Sequence, residues 1–227
     1  MLSGQDVPLL TVPGGTKNHF ALALGIASLD DAVAAARGGL VENVDLGSVN
    51  DEVFLNTASI GTYAAIVRER DRHEDWPKRL ADLVGGLRQV ARGHRLTVTV
   101  DGRPRRVWAV FAGNGDHGER LSDIGETRDL SDGVLDVRIL RADRHLARLR
   151  LLGAVLVGRV RRTPVVDGAP TTGIEITVVG EARPLVALDG DAMRLDSPLC
   201  WQVRPGALAV LVPKGADQVL ESPTSGD

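Results

Sequence analysis

Apolar residues in this chain gather in many short blocks bounded by turn residues, with a few stretches at helical spacing between them. Val7 to Val12 is an apolar run that stops at Pro13-Gly14-Gly15, the pattern of a buried strand entering a glycine turn. Two short helices are predicted next. Asn18 to Gly25 carries Phe20, Leu22 and Leu24 and ends at a glycine; Leu29 to Arg37 is alanine-rich, follows the N-cap residue Ser28 and stops at Gly38-Gly39. From Leu40 the texture changes. Val41–Gly47 and Glu52–Ala58 read as strands. Leu96–Val100 alternates apolar residues with threonine, turns at Asp101-Gly102 and returns through Val107–Phe111, a strong hairpin signal. Val134–Leu140, Gly173–Val179, Leu185–Leu188, Leu199–Val203 and Ala207–Val212 are further strands. Longer helices are predicted over Pro77–Arg92 and Arg144–Val157, where apolar positions recur three and four apart.

The pattern implies an α+β, mainly β chain. A β-sandwich domain with two packed helices spans residues 40–213, a fragment of an α/β unit precedes it over 1–39, and a polar tail follows over 214–227. Composition narrows this picture. With 227 residues the chain can bury a core without staples, and with aromatics at 3 % that core must come from Val, Leu, Ile and Ala. A net charge of −3 argues against a nucleic-acid binder, whose footprint is strongly basic. The lone cysteine, Cys200, suits a reducing cytoplasm and, beside Trp201, reads as a core residue. No apolar run approaches the roughly 20 residues that span a bilayer, and Met1 to Val12 lacks a signal-peptide pattern. The expectation is a soluble, cytoplasmic protein.

Candidate chemistry starts at Gly14-Gly15-Thr16-Lys17-Asn18-His19. A glycine turn opening a helix offers backbone N–H groups and a positive dipole end to phosphate, although such a turn is most often a plain connection. Asp-Gly occurs at Asp101, Asp132, Asp167 and Asp189, and each alone reads as a hairpin turn. A basic cluster, Arg141, Arg144, His145, Arg148, Arg150, Arg159, Arg161 and Arg162, surrounds the second long helix; it reads as a solvated face or as a contact for anionic headgroups.

Taken together, these segments resemble the diacylglycerol and sphingosine kinase-like family of bacterial lipid kinases. Gly15-Thr16-Lys17-Asn18-His19-Phe20-Ala21 is similar to its Gly-Thr-x-Asn-Asp-Phe-Ala motif. Val44-Asp45-Leu46-Gly47, Asn56-Thr57-Ala58-Ser59-Ile60-Gly61 and Gly113-Asn114-Gly115 resemble its early strands and a glycine loop. Asp129 to Val137 resembles its aspartate–glycine metal loop, Leu188-Asp189-Gly190-Asp191 its Asp-Gly-Glu motif, and Arg204-Pro205-Gly206-Ala207-Leu208 its closing strand. The resemblance covers about residues 8–213 and implies a set of roles. Asp189 would be the catalytic base, and Gly14, Gly15, Thr16, Asn18 and His19 would lie near ATP. Asp132, with the carbonyls of Asp129 and Val134, would hold Mg²⁺, a hard cation that takes oxygen ligands.

Two departures and one absence qualify this. His19 stands where many members carry aspartate and cannot supply negative charge; Asp191 shortens the family glutamate by one methylene. The family's Gly-Gly-Asp-Gly-Thr nucleotide motif has no counterpart among the residues before the glycine turn. The chain is therefore expected to begin partway through the nucleotide-binding domain, leaving Val7–Val12 without a sheet to join. The implied function is an ATP-dependent lipid kinase acting on a diacylglycerol-like hydroxyl, with peripheral contact at the inner membrane face. A homodimer or another chain would supply the missing nucleotide half. The alternative is a non-catalytic lipid-binding or interaction module derived from such a kinase.

Overall fold

Alternating apolar residues and left-handed two-residue turns set the sheet. The structure, a computed structural model, describes residues 7–15, 18–61, 95–115, 129–143 and 165–214. Two helices, α1 (His19–Ala23) and α2 (Leu29–Gly38), precede eleven strands among these residues. The strands are β1 (Leu40–Val49), β2 (Glu52–Phe54), β3 (Thr57–Gly61), β4 (Leu96–Val100), β5 (Arg103–Asn114), β6 (Leu135–Arg141), β7 (Val166–Thr171), β8 (Gly173–Val178), β9 (Leu185–Leu188), β10 (Asp191–Arg194) and β11 (Leu199–Val212). Both longer helices expected from the sequence, Pro77–Arg92 and Arg144–Val157, lie outside the described residues.

The β4–β5 hairpin forms as its sequence demands. Asp101 and Gly102 sit at φ 45° and 78° between the paired Val100 and Arg103, the positive-φ pair that matches strand twist. The same device closes β9–β10, where Asp189 (φ 49°) and Gly190 (φ 103°) lie between the paired Leu188 and Asp191.

One antiparallel sheet runs β10-β9-β3-β5-β4-β8-β11-β1-β2, with β6 pairing β5 and β7 pairing β6. Successive halves of β5 pair with β4 and then with β3, while β11 pairs with β8 at its start and with β1 along most of its length. Strands shared in this way let the sheet curl over itself, so that its inner faces meet in one core. Phe54, Ile60, Val98, Leu135, Ile176 and Trp201 are all at most 1 % exposed there.

A second core lies at one end. Phe20, Leu24 and Ile26, with Ala32 and Ala35 of α2, pack on Val44 and Leu46 of β1 and on Leu208 and Val210 of β11. Helix α2 starts on a capping box: the Ser28 hydroxyl accepts the Asp31 N–H, and the Asp31 carboxylate accepts the Ser28 N–H. The Ser28 hydroxyl and then its N–H hold the Asp31 carboxyl below the ordinary 3.8. A depressed folded-state pKa contributes stability above the unfolded value and loses it as pH falls through the folded one. Asp31→Asn should therefore lower the melting temperature slightly at pH 7 and not at pH 2. Equal shifts at both pH values would mean that the charge contributes nothing.

Several expectations need correction. The Val7–Val12 segment does find the sheet: Leu9 forms a parallel bridge with Val210, its N–H donating to Ala209 O at 2.8 Å and its carbonyl accepting the Leu211 N–H at 2.9 Å. Glu52–Ala58 is two strands, because the N–H groups of Leu55, Asn56 and Thr57 turn away from the ladder to a carboxylate. Leu199–Val212 is one strand in which Pro205-Gly206 makes a bulge opposite Asp45, rather than two strands with a break. Cys200 is half-buried, not core, since the alternation that buries Leu199 and Trp201 turns it outward. The sequence reading also passed over β7 and β10, which are short and polar.

Candidate functional site

Of the four Asp-Gly pairs, one differs in what its carboxylate does. Asp101 only turns a hairpin. Asp167 lies within β7 and bridges Arg105 and Arg141 at 3.1 and 2.6 Å. Asp132 bonds the Val134 N–H through Oδ1 at 3.1 Å. Asp189 reaches across the chain to a segment more than 130 residues away: Oδ1 accepts from Asn56 N (2.8 Å) and Thr57 N (2.8 Å), and Oδ2 from Leu55 N (2.6 Å). Its own N–H donates to Thr57 O at 2.8 Å. The hairpin tip is exposed, so the carboxylate is fixed in orientation yet open to solvent. A carboxylate offers about four acceptor positions; three are taken, and the one left is on Oδ2. Asp191 stands exposed two residues on, at the start of β10.

On the other flank lies the Asp129–Val134 loop. Asp129 Oδ1 accepts the Ser131 N–H at 2.8 Å, Gly133 adopts φ 70°, and the Val134 carbonyl accepts the Gly115 N–H at 3.0 Å. The donor types are the oxygens that a hard cation takes. Among the described residues, however, no three acidic, histidine or cysteine side chains converge as a metal cluster. Asp129 and Asp132 each spend an oxygen on the loop's own backbone.

The glycine turn is arranged otherwise than expected. Gly14 N–H donates to Val12 O at 2.9 Å and Gly15 N–H to Asn18 Oδ1 at 2.7 Å, so both amides are spent inside the turn. Asn18 adopts the left-handed conformation (φ 48°) and its side chain makes no cap bond to α1. A Cβ on Gly14 would meet nothing within 4 Å, so this glycine is demanded neither by φ nor by packing. His19 is half-buried as the first residue of α1, and Thr16 lies outside the described residues. The turn is tied to the rest through apolar contacts: Phe20 shares a cluster with Leu55 of the Asp189-bound segment and Leu130 of the Asp129–Val134 loop.

Sequence reasoning assigned no role to the two residues that join these parts. Asp45 is 3 % exposed, and its carboxylate accepts Gly133 N at 2.7 Å and Gly206 N at 2.8 Å. Asn114, fully buried, donates from Nδ2 to the carbonyls of Asp45 (2.8 Å) and Leu55 (3.1 Å). The signal for Asp45 was its place in the Val44-Asp45-Leu46-Gly47 segment that resembles the family, whereas alternation alone would turn an acid between Val44 and Leu46 toward solvent. Of the basic cluster, Arg141 alone is described. It is engaged by Asp143 and Asp167, which hold its pKa above the ordinary arginine value despite partial burial. Among the described residues no helix is long and apolar enough to cross a membrane.

Comparison with known proteins gives the family. The family model of the YegS C-terminal NAD kinase beta sandwich-like domain matches residues 56–212. A diacylglycerol kinase of Mycobacterium tuberculosis is 28 % identical over 94 % of this chain and 72 % of its own length. A probable lipid kinase YegS-like of Pseudomonas putida is 30 % identical over 95 % of this chain and 72 % of its own. The crystal structure of a diacylglycerol kinase from Bacillus anthracis shares the fold, with a TM-score of 0.58 at 23 % identity, over 88 % of this chain and 67 % of that one. The chain belongs to the YegS-like and diacylglycerol kinase family of lipid kinases, and carries that family's β-sandwich domain.

Proposed function

We propose that this chain acts in ATP-dependent phosphorylation of a lipid hydroxyl of diacylglycerol type, providing the acceptor side and the base. The observation that carries the reading is the Asp189 carboxylate, held by three backbone N–H groups at an exposed hairpin tip with one Oδ2 position open. A lipid hydroxyl against that position gives its proton to Asp189 as its oxygen bonds the γ-phosphorus. The bond from that phosphorus to the ADP oxygen breaks in the same displacement. Gly14, Gly15, Thr16, Asn18 and His19 would lie near the nucleotide. Asp132, with the Asp129 and Val134 carbonyls, would hold Mg²⁺, which would supply positive charge near the phosphates. The setting is cytoplasmic, with peripheral contact at the inner membrane face. The test is transfer of labelled γ-phosphate from ATP to a panel of hydroxyl-bearing lipids presented in vesicles. Label in a lipid product supports the reading, and a folded chain that labels none, alone or with a nucleotide-domain chain of a relative, overturns it.

The partner expectation has support in the surface. Seven of the eight exposed large hydrophobics among the described residues are Val7, Val12, Leu22, Leu29, Val33, Leu40 and Val41. They all lie in the N-terminal portion, where a second copy or a nucleotide-binding chain would cover them. A non-catalytic lipid-binding or interaction module is the second reading. It is favoured by the Gly14 and Gly15 amides, which are spent within their own turn.

The cation assignment has its own check. Millimolar Mg²⁺ should raise the melting temperature of the wild type by several degrees and leave Asp132→Asn unmoved, since a ligand bound only to the folded state stabilises it. Equal shifts in both proteins, or none in either, would remove Mg²⁺ from this loop.

A further inference from the structure

Asp45 has no part in the transfer step described above, yet its carboxylate is buried, at 3 % exposed. A buried carboxylate needs partners, and among the described residues no lysine or arginine pairs with it. Backbone N–H groups meet its charge instead, and they come from two separate segments. Gly133 N–H bonds Oδ2 and Gly206 N–H bonds Oδ1, while the Asp45 N–H donates to Leu130 O at 2.7 Å. One residue thus pins the Asp129–Val134 loop at two points and the β11 bulge at a third.

The bonds continue in the other direction. The Asp45 carbonyl accepts from Asn114 Nδ2, which also donates to Leu55 O; the Asn114 N–H donates to Asn56 O at 2.9 Å. The N–H groups of Leu55, Asn56 and Thr57 then converge on Asp189. A continuous path of hydrogen bonds therefore joins Gly133 to Asp189 through Asp45 and Asn114. An asparagine at 45 could accept only one of the two glycine N–H groups and would set its own NH₂ against the other.

We propose that Asp45 is a positioning residue. It fixes the Asp129–Val134 loop against the Leu55–Thr57 segment, and so sets where the Asp189 carboxylate stands. The effect on rate rests on the proposed phosphoryl transfer; the coupling of the two loops does not.

The experiment is residue-resolved amide hydrogen exchange on the full chain as wild type, Asp45→Asn and Asp189→Asn. In Asp45→Asn the Gly133 and Gly206 amides should exchange about tenfold faster or more, and those of Leu55, Asn56 and Thr57 should follow, while Val98 and Ile176 stay as in the wild type. In Asp189→Asn the loosening should pass back to Gly133 and Gly206, because coupling is reciprocal. Unchanged protection at Leu55–Thr57 in Asp45→Asn overturns the proposal. So does uniform loss that includes Val98 and Ile176, which would make Asp45 a general stability residue. If Asp45→Asn does not fold, Asp189→Asn decides alone, because its site is exposed; unchanged Gly133 and Gly206 protection then overturns the proposal. With an active wild type, Asp45→Asn should lower kcat about tenfold and leave the lipid KM within about twofold. A rise in KM alone counts against positioning. Coupled exchange in a wild type without transfer would sink the proposed reaction and leave the coupling standing.

Discussion

Asp189→Asn is expected to cut phosphoryl transfer by about a hundredfold or more while the chain stays folded, the range a general base contributes. Asparagine suits the position: it tolerates the left-handed φ of 49° and matches the carboxylate in shape. Its carbonyl oxygen can keep the Asn56 and Thr57 N–H bonds. Its NH₂ then faces Leu55 N–H and offers no lone pair to a substrate proton. Asp189→Ala should lose the same activity and also about 1–2 kcal/mol of stability, because three N–H groups lose their acceptor, a loss moderated by water at this exposed tip. Asp191→Asn serves as the control. It removes a neighbouring exposed carboxylate without touching the Leu55–Thr57 bonds, so its rate should stay far above that of Asp189→Asn. Activity within a few-fold of wild type in Asp189→Asn would reduce Asp189 to a turn residue that ties a loop.

The second large effect is on stability. Gly47 lies on β1 opposite Phe54 of β2, and a Cβ built there would come within 2.1–2.6 Å of three Phe54 ring atoms. The ring is only 1 % exposed and packed into the main core, so it cannot swing out to make room. Gly47→Ala should therefore destabilise by about 1–3 kcal/mol through overpacking, and Phe54→Ala by about 3–5 kcal/mol through the cavity it leaves. The two should not add. In the double variant the new methyl takes up part of the space vacated by the ring, so the combined loss should fall short of the sum. Urea denaturation followed by fluorescence of the buried Trp108 and Trp201 measures all three. Strict additivity would mean that the glycine and the ring do not share that space. Phe54 immediately precedes the Asp189-bound segment, so the same variants also test whether a shifted ring disturbs transfer.

Much of the sheet was legible locally. The β4–β5 hairpin could be read because threonine alternation and Asp-Gly both act within ten residues, and positive φ at that pair suits strand twist. Helix α2 could be read from Ser28 and the closing glycines. The Asp189 turn was also visible, but only as one of four identical dipeptides; the family pattern singled it out. What distinguishes it physically is a set of three N–H donors far away in sequence, which periodicity cannot report.

The errors share that cause. Glu52–Ala58 looked like one strand because Val53, Phe54 and Thr57 favour strand conformation on both sides of Leu55-Asn56. The break at Leu55–Asn56 comes from a carboxylate supplied by the β9–β10 hairpin. Leu9 looked stranded because its partner, β11, lies some two hundred residues on. Asp45 could not be read as a buried brace, because strand alternation places an acid between Val44 and Leu46 on the opposite face, and only where that face meets water is the rule a guide. Here the Asp129–Val134 loop and the Gly206 bulge supply its partners, and both faces are buried. By itself the sequence determined most of the strands with their local turns, the family, and the chemical types available at the site. Only the tertiary structure decided which carboxylate is oriented and open, which is buried as a brace, and which glycine amides are already spent, because each depends on hydrogen-bond partners distant in the chain or on how a turn closes on itself.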